Sequence, residues 1–213
     1  MTILALEFSS ARRGAALARG GTVLSEAVET TGGRTTNAFG LIEKVLTEAK
    51  VLRGEVEVIV VGIGPGSYAG IRAAIALAQG WQLARGIQLL GVSSAECLAA
   101  QAQAEKIFGR VNVVVDAQRG EFYLATYEVS ADGVKEAGAL KIAAAAEVEL
   151  CAGGLLAGPE VTRWFASGTV LFPTATVLAK LATRQSGFST GRELEPVYLR
   201  EPNFLKIPAQ RKG

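Results

Sequence analysis

The chain opens with apolar runs separated by short polar or glycine-containing turns. Ile3–Phe8 is an apolar run typical of a buried strand, and Gly14–Ala18 resumes the pattern after the polar turn at 9–13. Gly20-Gly21 then predicts a hairpin onto Thr22–Val28, because two glycines accept the positive φ of a tight turn. Three strands therefore precede the first predicted helix.

A helix is predicted over about Asn37–Ala49, with Thr35 or Thr36 as its N-cap. Its apolar residues recur at three- and four-residue steps, which makes a stripe along one side. Val56–Val61 is a fully apolar strand, and the glycine-rich segment Gly62–Gly70 follows it. A second, largely apolar helix is predicted from Ile71 to about Arg85.

The second half repeats this order. Val111–Val115 is an apolar run ending in Asp116, as Ile3–Leu6 ends in Glu7, and an Arg-Gly pair follows in each half. Two β-β-β-α units in tandem predict an α/β protein with a duplicated actin-like (ASKHA, ribonuclease H-like) fold, in which two lobes enclose a cleft. We place the N-terminal lobe at 1–104 and a smaller, reduced C-terminal lobe at 105–213. Two unrelated α/β lobes or one doubly wound sheet are the alternatives. Three paired strands before the first helix disfavour a plain β-α-β alternation.

Composition limits the chemistry that this chain can perform. Of its 213 residues 49% are hydrophobic and 20% charged, which suits a folded core, and the net charge of +2 is too small to indicate a nucleic-acid-binding protein. The chain has no histidine, which excludes serine–histidine, cysteine–histidine and histidine–zinc catalysis. Cys97 and Cys151 are far apart, and no apolar run is long enough for a membrane span. We expect a cytoplasmic protein without a membrane partner.

The glycine-rich segment is a candidate ligand site. It lies between a strand and a helix, where backbone N–H groups can face an anion, and Gly64, Gly66 and Ser67 are the candidate cofactor-binding residues. No Gly-Lys-Ser/Thr follows, so the segment is not a Walker A loop, and its glycine spacing is not that of a dinucleotide-binding fold. The alternative is structural: glycines permit positive φ and close packing of the helix on the sheet. We expect the segment mainly to shape a partner surface.

Two carboxylates end equivalent strands, Glu7 in the first half and Asp116 in the second. In a two-lobed cleft such acids can reach a metal-bound nucleotide, but one acid per lobe makes a sparse metal site. The alternative for Asp116 is a turn in which it accepts backbone N–H groups and pairs with Arg119. We favour the turn and predict no catalytic residues and no metal site.

The two predicted helices are candidates for an interface with another chain. A helix that is apolar on nearly all sides must be buried against something. The alternative is a core helix between the sheet and a neighbour. We predict that an exposed apolar face is formed by Phe39, Ile42, Leu46, Ile71, Ala74, Ala78 and Trp81.

Four segments carry a resemblance to a known family. Val61–Arg72 reads VGIGPGSYAGIR and closely resembles the GPGSFTGxR signature of the TsaB (YeaZ) family. Ile3–Ser10 is similar to the opening strand of that family, Asp116–Tyr123 to its DARRGEVY segment, and Glu195–Arg200 to its PxYLR segment. The four lie in the same order along essentially the whole chain. Two departures are Glu7-Phe8-Ser9, where the family usually has Asp-Thr-Ser, and Arg34, where it often has histidine.

The resemblance implies a non-catalytic dimerisation or scaffold subunit with the actin-like fold. Its implied partner is a TsaD-type catalytic subunit, related to the glycoproteases, which transfers threonylcarbamoyl to N6 of adenosine 37 in tRNA; a TsaE-type ATPase joins them. It further implies no cofactor in the isolated chain, ATP and metal on the partner subunits, indirect contact with tRNA, and a homodimer in isolation. The competing interpretations are an actin-like ATP-binding enzyme and a glycoprotease-type peptidase.

Overall fold

Two five-stranded mixed sheets form the framework of the protein. A computed structural model describes residues 1–30, 37–151, 153–184 and 194–199. Arg34 and the predicted caps Thr35 and Thr36 lie outside these residues. The strands are β1 (Thr2–Glu7), β2 (Arg12–Arg19), β3 (Thr22–Thr30), β4 (Val58–Gly62), β5 (Gln88–Val92), β6 (Gly109–Asp116), β7 (Glu121–Val129), β8 (Val134–Ala144), β9 (Leu155–Gly158) and β10 (Thr169–Val170). The helices are α1 (Ala38–Ala49), α2 (Tyr68–Arg85), α3 (Ser94–Ala104), α4 (Ala145–Glu149) and α5 (Ala175–Ala182).

The sheets have the same topology. The first has the order β3-β2-β1-β4-β5 and the second β10-β9-β6-β7-β8. In each, the central strand runs antiparallel to the next strand of the chain and parallel to a later one, so β6 corresponds to β1 and β9 to β4. The repetition confirms the predicted duplicated fold. The second lobe is reduced, because its edge strand β10 has two residues and its helix α4 has only five.

Both helices predicted in the first half are present. Helix α1 starts one residue later than predicted, and α2 starts three residues earlier. Helix α1 is capped by Asn37, whose Oδ1 accepts the N–H of Gly40 at 3.1 Å, so Asn37 is the cap and not the first helical residue. Helix α2 begins at Tyr68 instead of Ile71, because the Ser67 hydroxyl accepts the N–H of Gly70 at 3.4 Å. Strand β4 begins two residues later than predicted and includes Gly62.

The predicted division at residue 105 does not follow the packing of the side chains. One face of the first sheet is covered by α1 and α2. Its other face is covered by α5, whose Val177, Leu178 and Ala182 are buried against β1, β2 and β4. Leu194 is also buried in the core of the first lobe, and the Val197 N–H bonds to the Ile63 carbonyl at 2.9 Å. The assignment of 105–213 to the second lobe is therefore corrected for α5 and 194–199, because the chain returns to the first sheet.

Candidate functional site

A cleft of about 720 Å³ lies between the two lobes. Its first wall is built by the β1–β2 turn and the N-terminus of α2, and its second by the β6–β7 turn and the segment after β9. Residues 197–198 close one side. The lining residues used below are Arg13, Gly66, Ser67, Tyr68, Asp116 and Tyr198.

The glycine-rich segment is held tightly against the β1–β2 turn. Gly66 has φ +149°, and a Cβ there would lie 2.1 Å from the Ser9 carbonyl oxygen. A Cβ added at Gly70 would lie equally close to the Phe8 carbonyl oxygen, and the N–H of Ser67 donates to the Ser9 carbonyl at 2.6 Å. These glycines are required by close backbone packing, which is the structural alternative given above.

The three predicted cofactor-binding residues do not lie together in the cleft. Gly66 and Ser67 line it, whereas Gly64 is buried behind them and its carbonyl accepts the Ser94 N–H at 2.7 Å. The Ser67 hydroxyl caps α2 and also accepts a long hydrogen bond, 3.5 Å, from Nη2 of Arg13.

The two strand-end acids have different environments. Glu7 is 1% exposed, and its carboxyl accepts the Ser9 N–H at 2.8 Å and the Ser94 hydroxyl at 3.1 Å. Burial raises the pKa of Glu7, and the hydrogen bonds from Ser9 and Ser94 oppose that rise only in part. Asp116 lines the cleft and accepts the Gln118 N–H at 2.7 Å, which is the turn predicted for it.

The predicted pairing of Arg119 with Asp116 is not among the ion pairs of the described residues. The same part of the chain holds no group of three or more acidic or sulfur side chains able to hold a metal ion. Of the two strand-end acids, Asp116 therefore lies in a turn on the second wall of the cleft, and Glu7 is buried.

A pair of tyrosines stands at the rim of the cleft. The rings of Tyr68 and Tyr198 lie 5.2 Å apart, and Nη1 of Arg72 donates to the Tyr68 hydroxyl at 2.6 Å. The hydrogen bond from Tyr198, and then that from Arg72, lowers the pKa of Tyr68. Burial and the bond to Tyr68 raise the pKa of Tyr198 to about 12. The pair joins 194–199 to the first wall, so the C-terminal motif contributes to the cleft.

Arg13 lines the cleft, although the sequence did not predict it as a site residue. It lies at the start of β2, is 8% exposed, and its Nε is buried without a hydrogen-bond partner. Its neighbour Arg12 is exposed and stacks on the ring of Phe172 at 5.9 Å. A charged residue next to an apolar run is the signal that could have drawn attention to this position.

The predicted exposed face is wrong for five of its seven residues. Ile42, Leu46, Ile71, Ala74 and Ala78 are buried in the core beneath the first sheet. The reason is that the apolar stripe of an amphipathic helix covers the sheet of its own chain. Only Phe39, which is 74% exposed, and Trp81, which is partly exposed, face outward.

An apolar groove of about 500 Å³ separates α1 from α2 on the outer surface. Phe39 forms one side, and Ala76, Leu77, Gly80 and Trp81 form the other. Charged residues stand at its end, where Nε of Arg53 donates to Oε1 of Glu43 at 2.8 Å. The surface between these helices is therefore apolar. Of the seven predicted residues, Phe39, Ile42 and Trp81 line this groove and the other four do not.

Comparison with known proteins places the chain in a family. Residues 34–192, more than half of the chain, match the family model described as "TsaD: tRNA N6-adenosine threonylcarbamoyltransferase". The chain is also 27% identical to the Escherichia coli tRNA threonylcarbamoyladenosine biosynthesis protein TsaB, over 99% of this chain and 100% of that protein. The Bacillus subtilis protein of the same name is 33% identical over 60% of this chain and 56% of its own length.

A solved structure shows the same fold. YeaZ from Pseudomonas aeruginosa superposes with a TM-score of 0.80 at 26% identity, over 93% of this chain and 99% of that one. With two actin-like lobes and a match to the family model over residues 34–192, this chain is a member of the TsaD-type family. Within it, the chain belongs to the TsaB (YeaZ) family. Among the described residues, no helix combines the length and apolar character needed to span a membrane.

Proposed function

We propose that this chain is a non-catalytic scaffold subunit in the biosynthesis of threonylcarbamoyladenosine on tRNA. It supports a TsaD-type catalytic subunit that transfers threonylcarbamoyl to N6 of adenosine 37. The observation that carries the proposal is the end-to-end match to the Escherichia coli TsaB protein. A match over essentially both whole chains argues for a shared role more strongly than a match to one motif.

The residues of the cleft support a role without catalysis. The sequence has no histidine, so proton transfer near neutral pH would need another group. The buried carboxyl of Glu7 is held by two serines, and the Ser67 hydroxyl caps α2. A peptidase would need an activated nucleophile, and neither Ser67 nor Asp116 has a base beside it among the described contacts. We assign ATP and metal binding to the partner subunits.

The groove between α1 and α2 is the surface proposed for the catalytic partner. A phenylalanine that is 74% exposed beside Gly80, where an added Cβ would meet nothing within 4 Å, leaves room for a partner's apolar side chain. Arg85 and the Arg53–Glu43 pair provide a polar rim around this apolar centre. In the absence of the partner the same surface would pair two copies of this chain as a homodimer. A TsaE-type ATPase joins the assembly, and tRNA is contacted through it.

Reconstitution of the reaction tests the proposal. We would measure threonylcarbamoyladenosine on tRNA with cognate TsaD, TsaE and the precursor-making enzyme, with and without this chain. We expect product only when the chain is present. Equal product without it would remove the assigned role. Hydrolysis of ATP by the purified chain alone would favour the actin-like enzyme instead.

A further inference from the structure

A further pocket, of about 500 Å³, lies between α3, strands β7 and β8 and the C-terminal part of α5. It shares no lining residue with the cleft or with the groove between α1 and α2. Two carboxylates, of Glu96 on α3 and Glu136 on β8, and the hydroxyl of Tyr127 on β7 contribute to its lining. The apolar part of its wall is formed by Ala100, Val134, Leu140 and Leu181.

The two acids of this pocket have no ion-pair partner among the described residues. Neither Glu96 nor Glu136 belongs to any of the ion pairs in that part of the chain. Burial, and then the charge of Glu136, raises the pKa of Glu96, so the two carboxylates are close enough to repel each other. Arg184 also lines the pocket, but it is exposed and is in none of these ion pairs either. A cation placed between the two acids would relieve their repulsion.

Tyr127 brings a buried hydroxyl to the same space. It lies directly opposite Glu136 in the β7–β8 pair, and its side chain is only 5% exposed. Burial, and then the charges of Glu136 and Glu96, raises the pKa of Tyr127, so its hydroxyl lies in the field of both carboxylates. This hydroxyl takes part in none of the hydrogen bonds of the described residues, whereas a buried tyrosine usually has a partner. An unpartnered hydroxyl at this depth therefore points to a ligand in the pocket.

We propose that this pocket binds a small organic molecule that carries a primary ammonium group on an apolar chain. An ammonium group has three N–H donors, and the carboxylates of Glu96 and Glu136 and the oxygen of Tyr127 offer three acceptors. Apolar walls around a few polar groups suit a carbon chain better than a hydrated metal ion. The described residues also hold no group of three acidic or sulfur side chains able to bind a metal. The pocket is separate from the proposed partner surface, so the proposal does not rest on the scaffold role.

Calorimetric titration of the purified chain at constant ionic strength tests the pocket with three probes that share a carbon chain: pentylamine, norleucine and pentanol. We expect heat of binding from pentylamine and none from pentanol. Tighter binding of norleucine supports the site and assigns it to an amino acid whose carboxylate meets Arg184. Equal or weaker binding of norleucine supports the site and assigns it to a simple amine. Pentanol binding as tightly as pentylamine, or no binding of either ammonium compound, would overturn the proposal.

Two variants with a matched control locate the binding. Glu136→Gln, at an exposed residue, should weaken pentylamine binding at least about tenfold, because it removes a charge that meets the ammonium group. Glu128→Gln makes the same change at an exposed residue beside Tyr127 whose side chain points to the opposite face of the sheet, and it should leave the affinity within about twofold.

Tyr127→Phe keeps the ring and removes only the hydroxyl. It should weaken pentylamine binding about three- to tenfold and leave the melting temperature of the free chain unchanged or higher, since no described hydrogen bond is lost. Unchanged pentylamine affinity in either Glu136→Gln or Tyr127→Phe would contradict the site. A fall in the melting temperature of Tyr127→Phe would show that the hydroxyl serves the fold instead of a ligand.

Discussion

The carboxyl group of Glu7 and the hydroxyl of Ser94 are hydrogen-bonded at 3.1 Å although 87 residues separate them. Ser94 also accepts the N–H of Gly64 at 3.2 Å, so one buried hydroxyl links the end of β1, the glycine-rich segment and the start of α3. Both side chains are at most 1% exposed. The floor beneath the cleft is thus a small polar cluster inside an apolar core, and its stability should depend on its hydrogen bonds and on pH.

The first prediction concerns the pH dependence of stability. Burial raises the folded-state pKa of Glu7 above the ordinary value of 4.5 for a glutamate carboxyl, so the folded protein holds this proton more tightly than the unfolded chain. The stabilisation is fully present below pH 4.5 and is lost as the pH rises through the raised folded pKa. Glu7→Gln should remove this part of the pH dependence.

Urea unfolding of the wild type and Glu7→Gln over a series of pH values measures the difference. As the pH rises above 4.5, the unfolding free energy of the wild type should fall relative to that of Glu7→Gln, so the gap between the two curves should widen. Glu55→Gln is the control, because Glu55 is exposed and hydrogen bonds from Leu52 and Arg19 lower its pKa, which reverses the sign. Parallel curves for the wild type and Glu7→Gln would show that Glu7 has the same pKa in both states.

The second prediction concerns Ser94. Ser94→Ala removes the donor to Glu7 and the acceptor for the Gly64 N–H. Leaving buried polar groups without partners should lower the unfolding free energy by about 1–3 kcal/mol. Ser130→Ala is the control, since its hydroxyl donates to the Gly133 carbonyl in an exposed turn, and it should change the value by less than about 0.5 kcal/mol. Chemical denaturation measures both, and equal losses would refute a special role for the buried cluster.

The third prediction compares two glycines. Gly66→Ala would place a Cβ 2.1 Å from the Ser9 carbonyl oxygen at a φ of +149°, so we expect a loss of at least about 3 kcal/mol. Gly80→Ala meets nothing within 4 Å inside α2 and should gain about 0.5–1 kcal/mol. Thermal unfolding compares the two. A mild effect at Gly66 would show that the β1–β2 turn can move away from the glycine-rich segment.

Strands β1 to β4 and β6 could be predicted from the sequence because apolar runs and glycine turns mark them locally. Ile3–Phe8 and Val111–Val115 proved to be the central strands of two equivalent sheets. Strand β5 and helix α3 were not predicted, and α3 is buried on nearly all sides, which removes the apolar–polar periodicity on which such predictions rest. The return of α5 to the first sheet depends on tertiary packing, which no local pattern encodes.

The candidate sites were predictable only in part, for related reasons. The stripe that includes Ile42 and Ala78 was correctly identified as apolar, but periodicity marks the face that a helix buries and says nothing of what buries it. Of the groove residues, Phe39 was predicted, whereas Ala76, Leu77 and Gly80 lie at other positions of α2. The sequence marks Arg13 only as a charged residue beside an apolar run, because its contact with Ser67 joins two elements that are far apart in the chain.

The fourth prediction tests the groove between α1 and α2 as a protein interface. Ala76 is exposed and lines the groove, so Ala76→Glu should leave the fold intact and place a carboxylate where a partner would exclude water. An unpaired buried charge is costly, so the affinity for a cognate TsaD-type subunit should fall at least about tenfold.

The matched control is Ala137→Glu, which makes the same change at an exposed residue of β8 in the second lobe and should bind as the wild type does. Analytical ultracentrifugation of the chain alone and calorimetry with the partner read out the homodimer and the heterodimer separately. Loss of both in Ala76→Glu would show that the two associations use the same groove. Partner binding that survives Ala76→Glu but is lost in Ala137→Glu would move the interface to the second lobe.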